Sequence, residues 1–213
     1  MKACVVGLGA VGGMIAARIA ASGQRVAALA RGATLQAVRA AGLTLVEGER
    51  RTTVAIDAHE RPESIGAQDV VIVSVKTTSI ASVAGTIGPL IGPETVVVSA
   101  MNGIPWWFFS GLAPRWRGTR LEACDPTGAI ARAIPPERVL GCVVHFAASS
   151  PQPGVVVHGL GERLILGEPG GARTARLESV AALLRAGRFE VEPSERIERE
   201  VWIKLWGNMT MNP

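Results

Sequence analysis

Three glycines near the N-terminus constrain the fold more than any other feature of this 213-residue chain. Gly7, Gly9 and Gly12 form the pattern G-x-G-x-x-G. The pattern lies directly after an apolar run at 3–6 and opens an alanine-rich segment at 10–21, so it predicts a strand, a tight turn and a helix. The glycines argue against a signal peptide, and the apolar stretch is too short to span a membrane.

Strand-like runs alternate with helical patterns along the next ninety or so residues. A strand is expected at 25–30 and a helix at 34–41. Residues 69–75 and 95–99 are continuous apolar runs rich in valine, typical of central strands buried on both faces. Residues 80–91 between them predict a crossover helix. This alternation predicts an α/β fold with a Rossmann-type, doubly wound, mostly parallel sheet.

The pattern changes after about residue 105. Three short strand-like segments separated by proline and glycine turns predict a more antiparallel extension of the sheet; they lie at 141–147, 154–158 and 163–166. A further helix is expected at 174–186.

The sequence of the C-terminal segment predicts one uninterrupted helix at 195–211, and this helix carries tryptophans. Its apolar residues have nothing in the sequence to pack against before Pro213. We therefore expect a first domain at 1–190 and, at 191–213, the first helix of a truncated, all-helical second domain.

The glycine motif predicts a dinucleotide site. Gly7 allows the tight turn, Gly9 lets backbone amides approach a pyrophosphate, and Gly12 lets helix and strand pack closely. The free N–H groups and the dipole of the helix N-terminus favour phosphate. The remaining predicted cofactor-binding residues of this loop are Leu8, Ala10 and Val11.

The end of the second strand indicates which dinucleotide is bound. An NAD enzyme usually carries Asp or Glu there for the ribose 2′-hydroxyl. This chain has Ala30-Arg31 instead, and a guanidinium matches a 2′-phosphate. Arg31 therefore favours NADPH, the alternative being a solvated arginine on a loop.

Two more strand ends point to the same crevice, because ligands of such sheets bind beyond the carboxyl ends of the strands. Lys76 follows one predicted central strand and is expected either to meet the adenosine phosphates or to lie in solvent. Asn102 follows the next strand. It is expected to bind near the nicotinamide ribose or to form a turn with Gly103.

The composition limits the kinds of partner that we expect for this chain. The net charge of +4 comes from scattered arginines rather than a basic cluster, so we expect an anionic small molecule as ligand and no nucleic acid.

The three cysteines form no C-x-x-C pair, so they predict neither a disulfide nor a metal site. We expect them to be buried thiols in a reducing, cytoplasmic setting. They are Cys4, Cys124 and Cys142. The three histidines lack ligand spacing, and no role is assigned to them.

The sequence resembles the ketopantoate reductase (2-dehydropantoate 2-reductase) family over essentially its whole length. The resemblance rests on the glycine motif, Arg31, S-V-K-T at 74–77, M-N-G at 101–103, P-G-V-V at 153–156 and W-I-K-L-W-G-N-M-T-M-N at 202–212. It implies NADPH-dependent reduction of a 2-keto acid, with 2-dehydropantoate giving (R)-pantoate for pantothenate biosynthesis. It also implies a longer enzyme whose helical second domain contributes a serine and a glutamate.

The same resemblance implies that Lys204 is the catalytic proton donor, that Asn208 and Asn212 bind substrate, and that Asn102 lies beside the cofactor. The three helical residues are spaced i, i+4 and i+8, so they line one side of a helix. An ammonium can polarise a carbonyl oxygen and then donate a proton. The alternative is that Lys204 only pairs with Glu200 on the helix surface.

Other functions remain open at this point. One is a related dehydrogenase of hydroxy acids or opines, and another is a dinucleotide-binding module without turnover. The aromatic run at 106–109 is expected either to line a substrate pocket or to pack against the second domain. No membrane association is expected, and a homodimer is compatible with the sequence.

Overall fold

The computed structural model describes residues 1–116 and 118–211, which form two β-sheets and six α-helices. The strands are β1 Ala3–Val6, β2 Val26–Leu29, β3 Leu43–Glu47, β4 Arg50–Val54, β5 Asp57–His59, β6 Gln68–Val73, β7 Ile91–Ser99, β8 Val139–His145, β9 Ala148–Gln152, β10 Val155–His158, β11 Arg163–Gly167 and β12 Glu190–Pro193. The helices are α1 Ala10–Ala21, α2 Gly32–Ala41, α3 Ile80–Ala84, α4 Ala129–Ala133, α5 Ala175–Ala186 and α6 Ile197–Met211.

The larger sheet has eight strands in the order β12-β11-β8-β7-β6-β1-β2-β5. From β5 to β8 all neighbours are parallel, β11 is antiparallel to β8, and β12 is parallel to β11. This confirms the predicted doubly wound, mostly parallel sheet. The chain winds in opposite directions from β1 and from β6, so a crevice opens at their carboxyl ends.

A second sheet of four strands was not predicted. Its order is β4-β3-β10-β9, with β10 parallel to β3 and antiparallel to β9. The prediction that 154–158 extends the main sheet is therefore wrong, because β10 pairs with the β3–β4 hairpin. Strand-like residues indicate a strand but not its partner, and Arg50–Val54 has too few apolar residues to predict β4.

Helix α1 packs between the two sheets by means of two adjacent glycines. A Cβ on Gly12 would lie 2.0 Å from the carbonyl oxygen of Gly7, next to the large sheet. A Cβ on Gly13 would lie 2.6 Å from Val156 Cγ2 on β10 of the small sheet. Both faces of α1 are thus in close contact with a sheet.

The predicted crossover helix at 80–91 is shorter in the structure. Helix α3 ends at Ala84, and β7 begins at Ile91. Gly85, Gly88 and Pro89 lie in between, and each of these residue types disfavours a helix interior, by about 1 kcal/mol for glycine and about 3 for proline.

Helix α6 is buried at its start and exposed further on. Ile197 and Val201 belong to the core, whereas Trp202 is 58% exposed and Trp206 66%. The exposed apolar residues agree with the expectation of an unpaired apolar face. The large sheet extends beyond residue 190 because β12 is its edge strand, and the division of the chain into two domains stays a prediction.

Two residues of the aromatic run at 106–109 have a role that neither expectation gave them. Trp106 and Trp107 are both buried in the core. Trp106 donates a hydrogen bond from Nε1 to the carbonyl oxygen of Ile134 at 3.0 Å, and a Cβ on Gly141 would lie 2.5 Å from the Trp107 ring. The two indoles therefore hold the segment after β7 in place, one by its hydrogen bond and the other by packing against the sheet. Within residues 1–116 and 118–211, no helix has the length and hydrophobicity of a membrane span.

Candidate functional site

A cleft of about 790 Å³ opens at the carboxyl ends of β1 and β2. The glycine loop forms one wall through Gly7, Leu8 and Gly9, and the end of β2 forms another through Ala30 and Arg31. The cleft lies at the switch point of the large sheet. The sequence predicted Gly7, Leu8, Gly9 and Arg31 as cofactor-binding residues, and the structure brings these four together at the cleft.

The glycine loop has the geometry that its sequence predicts. Gly7 has φ +95°, a left-handed conformation that disfavours other residues, and a Cβ there would lie 2.9 Å from Val75 Cγ1. Ser74 Oγ donates a hydrogen bond to the carbonyl oxygen of Gly7 at 3.1 Å and so fixes the turn. Gly9 precedes α1, and no heavy atom lies within 4 Å of the position a Cβ would take. Space for a ligand is therefore open beside the helix N-terminus.

The far end of the cleft contains Arg31, which the sequence predicted, and two charged residues that the sequence did not single out. Arg31 is exposed and directly precedes α2. Glu60 and Arg61, which follow β5, line the same cleft, and Arg61 Nε lies 3.6 Å from a carboxylate oxygen of Glu63. Strand β5 has only three residues, too short a pattern to place Arg61 beside Arg31 from the sequence.

A smaller cavity of about 90 Å³ unites three predicted site residues from distant parts of the chain. Asn102, Lys204 and Asn208 all line it, together with Val11 of the glycine motif. The predicted substrate residue Asn212 lies outside the described residues.

Asn102 lies in the expected bend with Gly103 and also lines the small cavity, while its binding near the nicotinamide ribose stays a prediction. Gly103 has φ +88°, and the chain bends at this pair; Thr77 Oγ1 donates a hydrogen bond to the carbonyl oxygen of Asn102 at 3.2 Å. Asn102 lines the small cavity from this bend. Lys76 is exposed after β6 and lines neither this cavity nor the cleft.

Lys204 is half-buried on α6. Among the ion pairs within 4.0 Å found for residues 1–116 and 118–211, none joins it to Glu200, so the structure does not support the surface-pair alternative. Its charge acts on His145 instead. Burial lowers the pKa of His145, the cations Lys204 and Arg163 lower it further, and Glu192 opposes them. The charge of Lys204 thus influences a histidine to which the sequence assigned no role.

The cysteines are poor nucleophiles. Burial raises the pKa of Cys4 and of Cys142 to about 12. Burial also raises the pKa of Cys124, whose thiol donates a hydrogen bond to the carbonyl oxygen of Ile104 at 3.1 Å. The described part of the chain places no three His, Cys, Asp or Glu side chains together as metal ligands.

A glycine turn at the switch point of a doubly wound sheet, opening onto a large cleft, defines a Rossmann-type dinucleotide-binding domain. Residues 3–105 match the family model described as "Ketopantoate reductase PanE/ApbA". The whole chain is 40% identical to a 2-dehydropantoate 2-reductase of Mesorhizobium japonicum and covers 66% of that protein. The chain belongs to the ketopantoate reductase family.

Solved structures agree with this assignment. A crystal structure from Ralstonia solanacearum, provisionally described as a ketopantoate reductase, superposes with a TM-score of 0.96 at 53% identity; the match covers the whole chain and 66% of that protein. A 2-dehydropantoate 2-reductase from Geobacter metallireducens gives 0.81 at 27% identity, with 98% of this chain and 63% of that one covered. The chain thus spans just under two thirds of these relatives.

Proposed function

We propose that this chain carries the cofactor site and part of the substrate site of an NADPH-dependent 2-keto acid reductase, which converts 2-dehydropantoate to (R)-pantoate. The observation that carries the proposal is the meeting of Asn102, Lys204 and Asn208 at one small cavity, beside Val11 of the glycine motif. Residues from three distant segments converge there on the edge of the sheet where this fold binds its ligands.

The large cleft fits a dinucleotide in size and in chemistry. The open space beside Gly9 admits a pyrophosphate to the free amides at the start of α1, and Arg31 offers a guanidinium for a 2′-phosphate. The exposed Arg61 adds a second cation to that end of the cleft. When bound, NADPH supplies the hydride that reduces the keto carbon.

Lys204 supplies the proton that the reaction needs. Its ammonium polarises the substrate carbonyl oxygen and donates a proton to it as the alkoxide charge develops. Asn208 lies one helical turn further along α6 and lines the same cavity. Its amide can hold the substrate carboxylate or hydroxyl without adding charge. Lys204 regains its proton from solvent, to which it is partly exposed.

The setting of the reaction is also part of the proposal. Free thiols at Cys4, Cys124 and Cys142 fit a reducing cytoplasm. We place the opening of a helical substrate domain at 191–213, and the exposed apolar residues of α6 support this placement.

The test is to measure NADPH oxidation by the intact protein with a panel of 2-keto acids and amines. We expect 2-dehydropantoate to give the highest kcat/KM, and NADPH to be preferred to NADH. Turnover that requires an amine would identify an opine-type dehydrogenase. Tight NADPH binding with no turnover on any keto acid would identify a binding module, and either result would overturn the proposal.

A further inference from the structure

The small cavity of about 90 Å³ has two chemically different walls. One wall is polar and is formed by Asn102, Lys204 and Asn208. The other wall is apolar and is formed by Val11, Ala100, Val144 and Phe146. A ligand that matches both walls has hydrogen-bonding groups at one end and a short carbon chain at the other.

Phe146 is the bulkiest of the four apolar residues, and it follows β8 directly. Because side chains alternate along an extended chain, Phe146 and Val144 share one side of β8. Val144 belongs to the apolar cluster that also contains residues of α1, and Phe146 packs against that cluster. Among the apolar residues of the wall, Phe146 is therefore the one whose truncation would enlarge the cavity most.

The ring of Phe146 is supported from behind by a second aromatic ring. Phe146 and Phe189 are stacked, with 5.6 Å between the ring centroids and 28° between the ring planes. Phe189 is 4% exposed and belongs to the same apolar cluster. The guanidinium carbon of Arg18 lies 5.0 Å from the centroid of the Phe189 ring, so a cation–π contact continues the stack.

Arg18 is itself firmly held. It is buried, and its Nε and Nη2 donate hydrogen bonds to Glu47 Oε1 at 3.0 and 2.7 Å. Its Nη1 donates to the carbonyl oxygen of Arg188 at 3.1 Å, and Nη2 also donates to Glu162 Oε1 at 3.1 Å. The stack that begins at the cavity thus ends on a fixed cation. Since a close-packed interior adjusts little to an added methylene group, the Phe146 ring forms a rigid wall.

We propose that Phe146 determines substrate specificity by limiting the length of the carbon chain on the substrate. The inference rests on the proposed function of the small cavity and adds its substrate class, 2-keto acids with a short side chain. The keto and carboxylate groups face the polar wall, and the carbon chain ends against the Phe146 ring. A methylene group that exceeds the space of an apolar pocket costs about 10–200-fold in kcat/KM.

The first experiment compares two linear substrates of different length, 2-oxobutanoate and 2-oxohexanoate, in the intact protein with NADPH. The quantity measured is the ratio of kcat/KM for the longer acid to that for the shorter one. We expect this ratio to rise at least about tenfold in Phe146→Ala and to fall in Phe146→Trp. A structural role alone would lower kcat/KM for both acids together and leave the ratio unchanged.

The proposal is overturned if the ratio does not rise in Phe146→Ala, and if that variant does not fold, the ratio for Phe146→Trp decides in the same way. The control measurement is NADPH affinity by calorimetry. It should stay unchanged, because Phe146 is not among the residues that line the large cleft in the described part of the chain.

A second experiment tests the support of the wall. Phe189→Leu removes the stacked ring, and we expect the ratio to rise by about threefold because Phe146 can then yield. The matched control is Leu177→Val, which shortens a buried side chain at the other end of α5 and should leave the ratio unchanged. Equal ratios in Phe189→Leu and wild type would contradict the stack as the support of the wall.

A binding measurement separates this proposal from the proposed function. The affinities of 2-hydroxybutanoate and 2-hydroxyhexanoate for the NADPH complex are measured by calorimetry in wild type and in Phe146→Ala, which requires no turnover. We expect the longer acid to gain affinity relative to the shorter one in the variant, and an unchanged relative affinity would overturn the size limit. Absence of keto-acid turnover in wild type would instead sink the proposed function, and the binding ratio would still decide the role of Phe146.

Discussion

The two cavities differ in how the chain builds them. The large cleft is formed by the glycine loop, the ends of neighbouring strands and helix α3 with the residues that follow it, all before residue 90 apart from Ala133 and Ser150. The small cavity needs Val11, Asn102, the end of β8 and the middle of α6. The cleft is therefore built mainly from consecutive elements of the first ninety residues. The small cavity depends on the docking of one helix through Ile197 and Val201, so substrate chemistry should be more easily damaged than cofactor binding.

The largest effect is expected from a substitution that alters the small cavity and leaves the large cleft intact. Lys204→Ala should lower kcat by about 10²–10⁴, the usual contribution of a positioned proton donor. NADPH affinity, measured by calorimetry, should stay unchanged, because Lys204 does not line the cleft. The matched control is Arg199→Ala, which removes an exposed cation from the same helix. If Lys204→Ala keeps more than about half of the turnover, the lysine has no role as acid.

The next largest effect is expected from substitutions in the glycine loop of the large cleft. A Cβ at Gly12 would lie 2.0 Å from the Gly7 carbonyl oxygen and 2.1 Å from Ser74 Oγ, so Gly12→Ala must displace the glycine loop. We expect a loss of about 1–3 kcal/mol in the free energy of unfolding, together with loss of NADPH binding. Gly9→Ala should leave stability nearly unchanged and weaken NADPH binding only, since its Cβ enters open space. Equal unfolding midpoints in urea for Gly12→Ala and wild type would show that the helix does not pack as described.

A smaller effect tests how the cleft selects its cofactor. Arg31→Ala should weaken NADPH binding by about tenfold to a hundredfold, because hydrogen bonds to charged groups contribute roughly 1.5–3 kcal/mol. NADH binding should change little. Arg61→Ala should also weaken NADPH binding, but by a smaller factor, since Arg61 already forms an ion pair with Glu63. Wild-type protein that binds both cofactors equally would contradict the assignment of Arg31.

The smallest effect concerns how α1 is held behind the cleft. Burial raises the pKa of Glu47, but hydrogen bonds and charges from Arg18 and Arg188 outweigh it, and the net pKa is lowered. A lowered carboxylate pKa adds stability above the unfolded value, which is lost as the pH falls through the folded value. Between about pH 6 and pH 3, a window that reaches below the unfolded value, the Tm of wild type should fall about 2–4 °C further than that of Glu47→Gln. Parallel curves for the two proteins would mean that this ion pair adds no pH-dependent stability.

The same contrast explains what the sequence could predict. The glycine loop and Arg31 were predictable because motif and strand share a short stretch of chain. The four-stranded sheet was not, since pairing of β3 with β10 joins residues more than a hundred positions apart. His145 was not either: its relation to Lys204 exists only once α6 lies along β8, and no spacing in the sequence encodes that.

Neighbouring residues of an α-helix point about 100° apart. In α1 these two directions are taken by Gly12 and Gly13, one towards each sheet. The close approach of α1 to both sheets is therefore set by two consecutive positions, and a methyl group would have to displace the glycine loop at Gly12 or Val156 of β10 at Gly13. The packing of one helix against two sheets thus depends on two adjacent residues that carry only a hydrogen atom as side chain.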